Sequence, residues 1–312
     1  MKRSAFAFAI LLGCIVTSAS DPPKRLRIFG SAYVRILVSN VDKARDFYSL
    51  ALHSIAPSND AKSPSDWCER APVSLGMGKK RLGPIELEAI RVQDSPSLLS
   101  EVAFSTDDVK RLRDFLLKNQ FAAEKLTNCG DDPCFATIDP EQHRLIFVQK
   151  SDNPSVEIPG AYSSIPIRSP IMHTGFVVRD RAAEDRFYKG ILGFHVYWYG
   201  GKKDDESSWV DMQVPDGTDW IEYMLDVSAN ADHHTLGVMN HIALGVPEMH
   251  AAEEQLHKNG WKPGERPKIG RDGKWQLNLY DPDGTRVQLM EFRPAQETCC
   301  SDYTGPHPGQ RP

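Results

Sequence analysis

The sequence predicts an α+β protein built as two copies of one domain, each copy made of two smaller units that read strand, helix, strands. Three observations carry this. The chain aligns on itself at an offset of 140 residues: Phe47 falls on Phe187, Tyr48 on Tyr188 and Leu52 on Leu192, and the same offset lays Lys118, Asn119 and Phe121 on Lys258, Asn259 and Trp261. Self-similarity at a fixed period is the mark of a repeated structural unit. Apolar runs such as "IMHTGFVV" and "NHIALGV" have the length of buried strands, and the segments after them change to helical periodicity. Between the copies, a stretch rich in Pro and Ser shows neither period and reads as a linker.

Taken in order, residues 1–20 predict a signal peptide: Lys2 and Arg3 precede an apolar run from Ala5 to Val16, and small residues precede Asp21. The run is short for a membrane span. "LLGC" offers an alternative, a lipid anchor on Cys14. The first domain is expected over 28–150, with Val109, Leu112, Phe115 and Leu116 on the buried face of its second helix. A linker over 151–168 leads to the second domain, 169–294. There Ala183, Phe187 and Ile191 recur every four residues, with Tyr188 and Leu192 beside them, and Gly193 ends the helix. Met249, Ala252 and Leu256 mark the last helix. Residues 295–312 lack a core-forming pattern and predict a flexible tail.

Composition excludes some partners. Of 312 residues 25% are charged, with a net charge of −5, and no basic stripe interleaved with aromatics is present, so nucleic acid is not an expected partner. Cys129 and Cys134 flank a turn and predict a disulfide; adjacent Cys299 and Cys300 are expected to bridge elsewhere. No paired short cysteine spacing suggests a zinc-thiolate site.

His241 stands in the middle of an apolar strand, where an imidazole is ordinarily a hydrogen-bonded core group. The segments "HTGFVV", "FYKGILGF", "WIEYML", "NHIALGV" and "DPDGTRVQLMEF" together give it another meaning. With their counterparts over about residues 28–294, they resemble the vicinal-oxygen-chelate superfamily, which includes glyoxalase I, extradiol dioxygenases and bleomycin resistance proteins. The resemblance implies four βαβββ modules, paired into two open cup-shaped sheets, with metal held by the first and last strands of a module. It places ligands at His173, Glu222 and His241, and at Gln288, where relatives usually carry a Glu four residues after the Gly of "DPDG". Glu291 is the alternative, but three residues along a strand it faces the other way. In the first copy the same positions hold Tyr33, Glu86, Glu101 and Ile146, so no metal is expected there.

The donor set suits one divalent ion (Zn, Ni, Mn or Fe(II)) with open positions. The implied function is an exported metal-dependent enzyme of lyase or isomerase type, acting on a small oxygenated substrate through an enolate-like state. Glu222 is the catalytic carboxylate that moves the proton. The alternatives are a ferrous ring-cleaving dioxygenase and a binding protein without chemistry. Either a monomer or a dimer is compatible with the sequence.

Overall fold

The computed structural model describes residues 26–308 except 56–72, 75–78, 83, 93–94, 96, 151–170 and 263. The signal-peptide and linker expectations, and Cys14, therefore lie outside the described residues. The first half runs β1 (Ile28–Val38), α1 (Val41–Ser54), β2 (Val73–Ser74), β3 (Lys79–Leu82), β4 (Ile85–Ala89), β5 (Leu99–Thr106), α2 (Val109–Lys118), β6 (Thr127–Cys129), β7 (Asp132–Ile138) and β8 (Arg144–Gln149). The second half repeats it. It runs β9 (Ile171–Val177), α3 (Arg181–Asp185, continuing as a π-helix over Arg186–Leu192), β10 (His195–Gly200), β11 (Trp209–Gln213), β12 (Trp220–Met224), α4 (His233–Met239), β13 (His241–Val246), α5 (Met249–Lys258), β14 (Lys268–Ile269), β15 (Trp275–Tyr280) and β16 (Arg286–Glu291).

Each half forms one curled eight-stranded sheet, ordered β2-β3-β4-β1-β5-β8-β7-β6 and β10-β11-β12-β9-β13-β16-β15-β14. The same local signals start the helices in both copies. Asn40 and Asp180 cap α1 and α3 by accepting from Lys43 N and Ala183 N, while Asp108 and Glu248 cap α2 and α5. Such a cap satisfies an otherwise orphaned amide and contributes about 1 kcal/mol. Gly193, at φ 80°, closes α3 in the left-handed conformation that favours glycine.

In both sheets the first strands of the two modules pair antiparallel at the centre, and the last strand of each module lies parallel beside its first. Four strands, β12, β9, β13 and β16, thus lie side by side in the middle of the second sheet, and no two sheet neighbours among them follow one another in the chain. The helices and the strand faces beneath them build one shared core, in which Phe104 of the first half meets Phe194 of the second edge to face. The opposite, cup faces hold separate clusters: Tyr33, Ala103, Cys134 and Ile146 in the first cup, and Met172, Tyr197, Trp198, Trp220, Met290 and Phe292 in the second.

Cys129 and Cys134 form a disulfide across β6 and β7, with Cα atoms 5.8 Å apart. Its loop is short, so replacing both cysteines with alanine is expected to cost about 2 kcal/mol by the loop-entropy argument. Urea melts of the two proteins check this. Cys299 and Cys300 do not bridge elsewhere; they are joined to each other. The segment after Pro294, predicted flexible, is packed onto the second sheet over its described residues. Tyr303 donates to Asp272 O at 2.8 Å, Thr304 N to Tyr197 O at 3.0 Å, and Gln213 Nε2 to Pro306 O at 2.9 Å. Aromatic rings at Tyr197 and Tyr303, in contact at 4.6 Å between centroids, supply what the tail's own pattern lacks. No described helix is long and apolar enough to cross a membrane.

Candidate metal centre

Register across the four central strands decides which side chains meet. Glu222 on β12 pairs with Gly175 on β9, and Gly175 with His241 on β13, so the three form one row across the sheet. His173 lies two residues before Gly175, on the same face, in a second row with Trp220, Ala243 and Gln288. The structure accordingly brings His173, Glu222 and His241 together. The two Nε2 atoms are 3.0 Å apart, and Glu222 Oε2 is 3.7 Å from the first and 3.2 Å from the second. One ligand atom from each of the three falls within 4.8 Å of the others.

Electrostatics prepare these groups as donors. Both imidazoles are buried, and burial holds them well below the usual histidine range, for His173 against the opposing pull of Glu222 and for His241 with Arg286 adding to the effect. They are therefore neutral at pH 7. His241 directs Nδ1 to the Met239 carbonyl at 2.9 Å, which leaves the Nε2 lone pair facing the other two groups. Two neutral nitrogens and a carboxylate oxygen converging at these distances form an acceptor set of the kind that binds a metal ion. On that chemistry the residues fit a divalent cation.

Gln288 faces the same cup but is separated from His173 by Ala243. Its amide nitrogen donates to Gln276 Oε1 at 3.1 Å and Asn278 Oδ1 at 3.4 Å. Arg286, also on β16, lies against His241, with its Nη2 2.9 and 2.8 Å from the two ring nitrogens. Nearly equal distances put that nitrogen against the ring rather than along one lone pair. Burial pulls the guanidinium below its usual range, with Glu222 opposing. Glu291 points away, accepting from Met249 N at 2.8 Å to hold the start of α5. His233 and His234 are exposed at the start of α4.

Sequence reasoning missed four residues. Gly175 is one: a Cβ built there would lie 2.1 Å from His241 Cε1 and Nδ1, so only glycine leaves room for the ring. The signal was available, because the offset of 140 lays Gly175 on Arg35. Arg286 is the second. Asp211 is the third, register-paired with Glu222 and buried, its carboxyl raised well above the usual range by burial and then by Glu222. The fourth, fully buried Lys274, lies 4.5 Å from the centre of the Trp220 ring, and burial pushes its ammonium down to about 8. A cavity of about 730 Å³ opens over the centre, walled by Trp198, Trp209, Trp220 and Cys299 and floored by Glu222 and Arg286.

The first cup shows what the same framework does without these residues. Its corresponding row reads Glu86, Arg35, Glu101, Arg144. Arg35 binds Glu86 at 3.0 Å and Glu101 at 2.6 Å, and Arg144 binds Glu101 at 2.9 Å. A guanidinium stands where Gly175 leaves space, and neutralises the carboxylates internally. The second row is apolar, Tyr33, Ala103 and Ile146.

Residues 171–289 match the model of the Glyoxalase/Bleomycin resistance protein/Dioxygenase superfamily. Among curated proteins no relative matches the sequence. The fold is similar to that of a catechol 2,3-dioxygenase, with TM-score 0.58 and 14% identity over 90% of this chain and 95% of the other. It is also similar to the Mn(II)-bound glyoxalase from Novosphingobium aromaticivorans, with TM-score 0.59 and 14% identity over 89% and 86%. Homoprotocatechuate 2,3-dioxygenase from Brevibacterium fuscum gives TM-score 0.58 and 18% identity over 91% and 85%.

Proposed function

We propose, from the match of residues 171–289 to the Glyoxalase/Bleomycin resistance protein/Dioxygenase superfamily model, that the second cup is the active site of an exported, divalent-metal-dependent enzyme that moves a proton on a small oxygenated substrate. The observation that carries this reading is the convergence of His173 Nε2, His241 Nε2 and Glu222 Oε2 beneath an open cavity. A divalent ion held there supplies Lewis-acid polarisation of substrate oxygens. His173 and His241, kept neutral by burial, are its nitrogen donors. Glu222 would supply the ligand carboxylate, and it is also the group placed to accept or return a proton. Arg286 is placed to balance negative charge on the substrate, and the tryptophan wall excludes water from one side. Export is supported by the pattern of residues 1–20 alone.

A ferrous, ring-cleaving dioxygenase is the second reading. It is favoured by the charge-filled first cup beside a second cup with donors, and opposed by the lack of a carboxylate at Gln288. Elemental analysis with turnover assays separates the readings: oxygen uptake with bound iron supports the second, whereas binding without turnover under any metal leaves only a ligand-binding protein.

Gln288 lines the same cavity with its amide nitrogen held by Gln276 and Asn278, and in this proposal its amide oxygen is the fourth ligand, which makes it the finest test of the reading. Gln288→Glu adds charge at nearly constant shape, and metal affinity is expected to rise about tenfold, roughly 1.4 kcal/mol. Glu291→Gln, on the other face, is expected to leave affinity unchanged. Titration of both variants decides: the reverse pattern would mean that Glu291 is the ligand.

A further inference from the structure

The two halves meet through a pseudo-symmetric pair of contacts, and one of them carries groups the other does without. In the first, Tyr48 on α1 donates to Asp281 Oδ2 at 3.0 Å, while Asp281 Oδ1 accepts from Asp283 N at 2.9 Å and Thr285 N at 2.8 Å. In the second, Tyr188 on α3 donates to Asp139 Oδ2 at 3.0 Å, while Asp139 Oδ1 accepts from Glu141 N at 3.0 Å and His143 N at 2.8 Å. Tyrosine, aspartate and two amides are thus enough to make the contact. The first contact completes its packing with Thr285 and Ala44, both fully buried. At the corresponding positions the second has His143 and Glu184.

These two are costly additions for packing alone. Glu184 is fully buried; its Oε1 accepts from Glu141 N at 2.9 Å, and its Oε2 has no hydrogen-bond partner. His143 Nδ1 lies 2.7 Å from Asp139 Oδ2, and its ring stacks on Phe176 with centroids 4.5 Å apart. One ligand atom from each of Asp139, His143 and Glu184 falls within 4.8 Å of the others. Among the described residues no lysine or arginine forms an ion pair with Asp139 or Glu184. Asp139 spends its oxygens on Tyr188, His143 and two amides, whereas Glu184 Oε2, buried beside them, is left without a partner.

We propose that Asp139, His143 and Glu184 form a second divalent-cation site, outside both cups, that clasps the first domain to the second. Two carboxylate oxygens and one imidazole nitrogen are the donors of a zinc- or manganese-type site. Asp139 and His143 come from the turn between β7 and β8 and Glu184 from α3, so an ion bound to all three would resist separation of the halves.

The test uses the full chain carrying His173→Ala and His241→Ala, which removes the cup donors, so that its result does not depend on the proposed active site. After chelation and dialysis, added zinc is expected to bind at one ion per chain and raise Tm by ~5 °C. Glu184→Ala, which copies Ala44 of the other contact, should abolish both effects, as should Glu184→Gln and His143→Ala. Absence of zinc and manganese binding in the double-histidine chain overturns the proposal. So does a Glu184→Ala chain that is more stable than its parent at every zinc concentration, since Oε2 then carries only a proton.

Discussion

Changing both His173 and His241 to alanine is expected to lower the number of divalent ions bound per chain by one, with cup affinity falling by at least ~10³-fold, about 4 kcal/mol. Both nitrogens point at one spot 3.0 Å from each other, and neither Glu222 nor Gln288 alone offers the nitrogen donors that borderline ions prefer. Tyr33→Ala and Glu101→Ala, at the corresponding positions of the first cup, should leave the count unchanged. Glu101→Ala nevertheless removes a buried partner of Arg35 and Arg144 and is expected to cost roughly 3 kcal/mol of stability. Calorimetric metal titration reads the first effect and denaturant melts the second. An unchanged ion count in the double-histidine chain would refute the cup assignment.

Gly175→Ala is expected to do nearly the same by a different route. The added methyl would sit 2.1 Å from two atoms of the His241 ring and 3.0 Å from the Met239 carbonyl that orients it. Both strands are central in the sheet, so the backbone cannot retreat, and the ring must leave its place. The expected result is loss of the cup ion together with about 1–3 kcal/mol of overpacking. Gly190→Ala is the control, because nothing lies within 4 Å of a Cβ there. Metal titration and thermal melts of the two variants give the comparison, and a Gly175→Ala chain that keeps its cup ion would show that His241 is not held by this contact.

Much of the architecture was legible in the sequence because it rests on local, periodic signals. Phe47 and Phe187, Tyr48 and Tyr188, and Leu52 and Leu192 recur at one offset, and each is read from its own neighbourhood on the chain. Alternation along β16 also placed Gln288 and Glu291 on opposite faces, as found. The repeat even held a clue that went unread, Gly175 against Arg35, since its meaning depends on what stands on the next strand.

By itself, then, the sequence determined that the chain is a duplicated α+β fold and which face each strand residue takes, because periods of two and 3.6 are properties of the backbone. Only the tertiary structure decided which rows those residues join. Arg286 and Gln288 share a face, yet one lies against His241 while the other is drawn off by Gln276 and Asn278. Asp139, His143 and Glu184 meet across two domains, and the segment after Pro294 packs on Tyr197 with no pattern of its own. Cross-strand register and domain docking are set by contacts between residues far apart in the chain, and periodicity along one segment carries no information about them.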